Sequence, residues 1–446
     1  MTRGTTHRRT AVDGVILALL GISAFHVLSP VADTVLSASR YFYAAVLALI
    51  AVLILLRSSP QSPVSVAAGK DSILVSTTVC MAVLALFMAV HAIVRPDSAS
   101  SDIRYLLLVA LAGIVLWRLD LRALDRLIGG MALFFCGYFV YVIMVYGFME
   151  LGWVDREEWA VSKLNFLPDE NPIAVLERTG TQSYLIYYSV AMTRADDIAS
   201  IGSFEFARLT AFFVEPSDAA LVLGPLLLYC MHQVLEHKRG WLVPAAASTT
   251  MFLWAYSVAG FVSMSLALLV AGLARPVTST FPRVARLANA GALFAVLGLM
   301  LFDPFFLLQL VGGNKLAQFT YFVEQISSAA ELYLGSSAFG QGIGADYGHR
   351  TYGILAVAVQ QGMLGALSLM LLLAPFVICA WRLLRTGKVF IGVLGFYSLF
   401  MFLKTSEIVN LFFLLLYVFV IRHSADERQT VKCALNSRLA PEMECA

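Results

Sequence analysis

The strongest constraint in this chain is a recurrence: apolar runs near the roughly 20 residues that a helix needs to cross a bilayer follow one another almost end to end. They fall at about 11–29, 41–56, 72–94, 103–117, 127–149, 217–236, 241–256, 258–274, 288–302, 353–380, 389–403 and 408–421. In hydrocarbon every backbone polar group must be satisfied within the protein, which leaves helices or closed barrels, and runs of this length are helical. The expectation is an all-α polytopic membrane protein of about 12 transmembrane helices, with both ends on one side. Only 13% of the 446 residues are charged and 59% are hydrophobic, against about a quarter charged in a soluble domain. A soluble protein with one anchor is excluded, and residues 1–446 read as a single integral membrane domain. The first run follows Arg3, Arg8 and Arg9 as a signal peptide would, but no small-residue cleavage site precedes the next run. It is therefore expected to stay as a helix. A net charge of +2 makes no case for nucleic acid.

Sidedness follows from the basic residues. With the N-terminus in the cytoplasm, Arg57, Lys70, Arg118, Arg122, Arg126, Lys238, Arg239, Arg275, Arg283, Arg286, Arg382, Arg385 and Lys388 fall in inside connections, as the positive-inside rule requires. The acid falls outside, with Asp155, Glu157, Glu158, Asp169, Glu170 and Glu177 in one loop. Two outside segments are too long to be plain turns: 150–216, where Tyr184 to Tyr188 is expected to lie on the membrane surface as a helix, and 303–352. Residues 423–446 form an inside tail. Cys80, Cys136, Cys230 and Cys379 fall within spans and Cys433 and Cys445 in the tail, so no disulfide is expected. No metal-ligand spacing occurs among Cys and His.

Three constellations carry chemistry. Arg208 stands ahead of Glu215-Pro216-Ser217 at the mouth of the sixth run. Pro216 suits a first helical turn, and Ser217 and Asp218 favour the positive helix end, which describes a capped helix. The same residues describe an anion site, because a guanidinium binds phosphate oxygens bidentately. Arg208 then holds a phosphate or pyrophosphate, and Glu215 is a base or orients Arg208. The second constellation runs from Phe339 through Gly340, Gly342 and Gly344 to His349 and Arg350, directly ahead of a span. The glycines permit unusual dihedrals and close approach to a ligand, although the loop is neither a P-loop nor a Rossmann turn. His349 reads either as an interfacial structural histidine or as a neutral imidazole able to take a hydroxyl proton. Arg350 adds a second cation. The third, Tyr256 to Phe261, is a tight reversal whose small residues let two helices pack closely. His26 and His91 read as packing histidines inside spans, and Pro225 is expected to kink the sixth.

Together these motifs resemble the O-antigen polymerase (Wzy-type) and O-antigen ligase superfamily. The resemblance rests on an Arg ahead of Phe-Phe-x-Glu-Pro-Ser, a Ser-x-x-Gly reversal two spans later, and a late Phe-Gly-x-Gly-x-Gly loop ending in His. Gln361-Gly362-Met363-Leu364-Gly365 follows in the next span. It implies a GT-C-like membrane glycosyltransferase of the bacterial inner membrane, with both termini cytoplasmic and 150–216 and 303–352 as periplasmic loops. The enzyme would take glycan from undecaprenyl diphosphate without a metal or other cofactor. Arg208 and Arg350 would bind the diphosphate, Gly340, Gly342 and Gly344 would shape the loop, and His349 or Glu215 would be the base. Val258 and Ala259 stand where ligases usually carry an Arg, which together with the Glu-Pro-Ser form of the first motif favours a polymerase; Arg350, where the family often has Asn, would replace the missing second cation. Its donor and acceptor would both be undecaprenyl-diphosphate-linked oligosaccharide, with flippase and chain-length regulator proteins as partners beside membrane lipid. A ligase moving glycan to lipid A core or protein is the alternative. A transporter is a third reading, but it calls for ionisable or broken helices near the midplane, whereas the distinctive residues here are expected at the outer face.

Overall fold

The computed structural model describes residues 3–24, 40–57, 72–153, 183–186, 191–194, 198–201, 204–207, 209, 216–274, 338–341, 353–404 and 410–443. The described residues hold α1 (Arg3–Ala24), α2 (Arg40–Arg57), α3 (Ser72–Val94), α4 (Ala99–Arg118), α5 (Leu121–Glu150), α6 (Pro216–Leu235), α7 (Leu242–Ala255), α8 (Val258–Ala274), α9 (Gly353–Thr386), α10 (Val389–Lys404) and α11 (Leu411–Met443). Each coincides with one of the apolar runs, and the run at 288–302 lies outside the described residues. By length and composition α3, α4, α5, α6 and α9 can cross a membrane, while α1, α2, α8 and α10 carry shorter apolar stretches. This is a helical membrane protein.

Local chemistry sets the helix boundaries. Asp120, Ser257 and Asn410 stand just ahead of α5, α8 and α11. Each accepts a hydrogen bond from the amide three residues on, at Ala123, Gly260 and Phe413; such caps satisfy donors that have no intrahelical partner. α6 opens on Pro216, where a missing N–H costs nothing. It runs on through Pro225. α9 ends on Gly387, whose φ of 98° stops the helix.

α11 is the axis of the bundle. Every residue from Leu411 to Ile421 is buried, because α11 lies against α1, α3, α4, α5, α9 and α10. A helix that is apolar all round suits a position inside a bundle or in lipid, and here it is the first. The Phe402 and Phe413 rings stack at 3.8 Å. The buried Tyr417 and Tyr397 hydroxyls donate to the carbonyls of Leu372 and Ala220, at 2.9 and 2.6 Å, which removes the cost of burying them. The last apolar run does not stop where hydropathy falls. α11 continues to Met443, through most of the expected tail, and Arg422, His423 and Ser424 remain buried.

The 150–216 segment also differs from expectation. Ser183–Ile186 (β1) is a strand paired antiparallel with Ala191–Arg194 (β2), so the part of the Tyr184–Tyr188 stretch that is described is extended, not helical. Aromatic and β-branched residues suit a strand, and a cross-strand partner lies within reach. A second hairpin joins Ile198–Ile201 (β3) to Phe204–Ala207 (β4), and β4 ends one residue before Arg208.

Side-chain contacts define the two ends of the bundle. At one end the Tyr229 hydroxyl donates to the Asp125 carbonyl at 2.9 Å, Lys388 pairs with Glu236 at 2.7 Å, and Arg428 reaches Ser72 at 3.4 Å. Apart from Arg428, in α11, these residues sit at the C-terminal end of α6, the N-terminal ends of α3 and α5, and the junction of α9 and α10. The opposite end therefore carries the C-terminal end of α3 and the N-terminal ends of α6 and α9.

The ammonium of Lys388, hydrogen-bonded to Glu236, holds that carboxyl below its ordinary value of 4.5. A depressed carboxyl stabilises the fold above its unfolded value and loses that contribution as pH falls through the folded one. Both partners are about a third or more exposed, so the pair is worth less than about 1 kcal/mol. Glu236→Gln should therefore lower the thermal midpoint by less than about 2 °C at neutral pH. The difference should vanish on acidification below 4.5; scanning fluorimetry of both proteins across that range checks it.

Candidate functional site

The glycine segment is seated in a break in α9. Gly362 has φ 72° and ψ −173°, which interrupts the helix and is a conformation open essentially to glycine alone. A broken helix frees backbone groups, and Ala338 to Gln341 take them up. The Gln341 amide donates to the Val359 carbonyl at 2.9 Å, and the Leu364 amide donates to the Ala338 carbonyl at 3.3 Å. Non-helical backbone is tolerated at membrane depth when protein satisfies it in this way. Gly340 and Gly362 lie back to back at the crossing. A Cβ on Gly340 would strike the Gly362 nitrogen, and a Cβ on Gly362 would strike the Ala338 carbonyl.

The junction of α3 and α4 holds the same segment from its other side. Phe87 stacks on Phe339 with ring centroids 6.4 Å apart. The His91 Nε2 meets the Phe339 carbonyl at 2.9 Å, and its Nδ1 meets Asp102 Oδ2 at 2.8 Å. The Ser98 hydroxyl donates to the same Asp102 oxygen at 3.0 Å, and the Arg95 guanidinium donates to the Gly340 carbonyl. Chain order explains the cluster. The Arg95 amide closes α3 on the His91 carbonyl at 2.7 Å, and a 3-10 turn at Pro96–Ser98 leads into α4. Asp102 then sits in the first turn of α4, where the positive helix end favours a carboxylate. His91 and Asp102 are both fully buried.

A second anchor lies at the same end of the bundle. Leu209, next in sequence to Arg208, is buried and donates its amide to the Trp254 carbonyl at 3.2 Å. Tyr256, in the left-handed region at φ 43°, reverses the chain between α7 and α8, as expected from sequence. Gly260 then lets α8 approach α6 so closely that a Cβ there would lie 2.8 Å from that of Ala220. Leu209 and α6, which opens on Pro216 and Ser217, thus meet the Tyr256 to Phe261 reversal. Of the second constellation, Phe339 and Gly340 are held by His91 and Arg95, and Gln341 by α9.

Of the expected site residues, Gly340 is described, with φ 67° and its back against Gly362. Arg208, Glu215, Gly342, Gly344, His349 and Arg350 lie outside the described residues, as does His26. His91 is a satisfied packing histidine, as read, but its ties to Asp102, Arg95 and the glycine segment were not foreseen, nor was the break at Gly362. Among the described residues no three His, Cys, Asp or Glu side chains converge to hold a metal ion. No protein-family model matches the chain, and no curated protein matches it.

The described part is a frame: it holds Phe339 to Gln341 against His91, Arg95 and α9, and Leu209 against the end of α7.

Proposed function

We propose that the protein is a polysaccharide polymerase of the O-antigen or exopolysaccharide type. It would transfer glycan from undecaprenyl diphosphate to a sugar hydroxyl of another lipid-linked repeat unit. The reading rests on the resemblance in sequence and is carried by one observation: Leu209 and Gly340, the neighbours of the two candidate half-sites, lie at one end of the helix bundle. A polyprenyl diphosphate is both greasy and anionic, so it docks between helices with its head group against interfacial arginines, here Arg208 and Arg350. The leaving diphosphate gains negative charge in the transition state, which fixed cations stabilise. His349 or Glu215 takes the acceptor proton. In this reading the fold is GT-C-like with about twelve spans. The end bearing Arg118, Arg122, Lys238 and Lys388 faces the cytoplasm with both termini, and the site opens to the periplasm.

Purified protein in liposomes, given lipid-linked repeat alone, tests the proposal. Polymer without any added acceptor supports a polymerase. Product that forms only when lipid A core or an acceptor protein is supplied supports the ligase reading instead, and absence of product in every mixture sinks both.

The transporter reading gains one specific observation. Gly362 lies nine residues into α9, roughly 14 Å along the helix, near half the hydrocarbon thickness of about 30 Å. In transporters such a break exposes groups to substrate. Here Ala338 to Gln341 occupy it. Polymer formation in liposomes that carry no transmembrane gradient separates the two readings.

A further inference from the structure

We propose that His91, Asp102 and Arg95 are positioning residues for the glycine segment, and that the His91–Asp102 pair works by keeping a hydrogen in the gap between them. The hydrogen count follows from the partners. A carbonyl oxygen only accepts, so His91 Nε2, at 2.9 Å from the Phe339 carbonyl, must carry hydrogen and donate. The other ring nitrogen, Nδ1, faces Asp102 Oδ2 at 2.8 Å. A neutral imidazole with its hydrogen on Nε2 would turn a bare lone pair toward a carboxylate. The contact therefore requires one more proton between Nδ1 and Oδ2.

The surroundings point the same way. Both side chains are fully buried, and Asp102 Oδ1 finds no hydrogen-bond donor among the described residues. A carboxylate so poorly supplied with donors is costly to leave charged without a proton beside it. With the gap filled, Nε2 is free to hold Phe339 while Arg95 holds Gly340. Two adjacent carbonyls are thus gripped from the α3–α4 side, and the flanking residues Ala338 and Gln341 are gripped from α9. That the segment serves catalysis rests on the polymerase reading; the grip itself does not.

Hydrogen–deuterium exchange of the full chain in lipid nanodiscs, read by mass spectrometry, tests the grip without an activity assay. The amides of Gln341 and Leu364 report the seat, because their partners lie across it. Asp102→Leu, which empties the gap, should speed exchange at these amides about tenfold, the loss of one hydrogen bond of ordinary strength. Asp102→Asn can turn its amide N–H into the gap, so it should stay within about twofold of wild type. Arg95→Met, at a half-exposed position that does not threaten folding, should also speed exchange about tenfold, with Arg95→Lys in between. Exchange in α6 and α10 should not change.

Unchanged seat exchange in Asp102→Leu and Arg95→Met overturns the proposal. So does an equal rise through every helix, which marks a general loss of stability, and equal effects of Asp102→Leu and Asp102→Asn overturn the account of the gap. In the liposome assay Arg95→Met should lower kcat about tenfold with little change in KM, since misplacing a loop costs orientation. Polymer made at the wild-type rate by a variant with a loosened seat removes the positioning role. If the wild-type protein makes no polymer but the local exchange responds as stated, the polymerase reading fails and the grip stands.

Discussion

Gly362→Ala should destabilise the protein by about 3 kcal/mol or more and abolish most of the folded yield, because two costs fall on one position. The backbone there, φ 72° and ψ −173°, costs a residue with a Cβ about 1–3 kcal/mol. The new methyl group would also strike the Ala338 carbonyl. Relief requires Ala338 to Gln341 to withdraw, which leaves the Val359 carbonyl and the Leu364 amide without their present partners, at about 1 kcal/mol each or more in a buried setting. Gly340→Ala should act in the same direction, since its Cβ would meet the Gly362 nitrogen from the other side. Either change alone opens the crossing, so the double variant should cost clearly less than the sum of the two singles. Gly137→Ala is the control: it lies in α5 with nothing near its would-be Cβ, and alanine there should be neutral or stabilise by about 0.5–1 kcal/mol. Monodisperse yield and thermal midpoint in detergent report all four variants. A Gly362→Ala protein as stable as wild type would mean that α9 is not broken at this position.

The spans were legible because hydrocarbon imposes a length: among the described residues five helices are long and apolar enough to cross a membrane, and four more carry shorter apolar stretches. The same argument is blind to α9. Gly362 sits in an apolar run, between Gln361 and Met363, and a hydropathy window cannot separate a broken helix from a continuous one. What makes the break tolerable comes from Ala338 to Gln341, whose amides and carbonyls lie about twenty residues away in sequence. The continuation of α11 past Ile421 was hidden for the opposite reason. Arg422 and His423 end the apolar run, yet a helix satisfies its own backbone whether or not its side chains are apolar, and neighbouring helices bury these two. In the 150–216 segment a signal was present and missed. Ile198-Ala199-Ser200-Ile201 and Phe204-Glu205-Phe206-Ala207 flank Gly202-Ser203, the two-residue spacing of a hairpin with glycine first.

At the site, capping chemistry was readable where it is local. Pro216 opens α6, and Ser257 caps α8 beside a glycine that admits a neighbouring helix. The His91–Asp102 pair was not readable, because its members stand eleven residues apart across a 3-10 turn. No helical or strand period relates them. His91 could be recognised as satisfied within a span, but its partners, one of them the carbonyl of Phe339, are a matter of tertiary geometry. Arg95 stands in a short connection that no motif marks, yet it grips the segment that the sequence singles out for its glycines.

On the polymerase reading, His349→Ala should abolish polymer and leave lipid-linked single repeats, while Arg208→Lys should lose most activity despite keeping its charge. A general base contributes about 10²–10⁴-fold, so loss of the imidazole alone can take a slow polymerase below detection if His349 is that base. If Glu215 is the base, Glu215→Gln should carry the larger loss and His349→Ala the smaller, and the rate–pH profile of the weaker variant should keep the wild-type rising limb. Arg208 differs in kind. Guanidinium offers two parallel donors to a diphosphate, and an ammonium offers a point charge, so the lysine variant retains attraction but loses orientation. A loss of about 10²–10³-fold in kcat is expected, the usual range for removing one fixed donor from a developing anion. KM for the lipid-linked repeat should rise far less, because much of the carrier's binding lies in its prenyl chain. Gel analysis of chain length, with initial rates in liposomes, measures both. Unchanged chain length in His349→Ala and Glu215→Gln together would remove both bases and with them the proposed site.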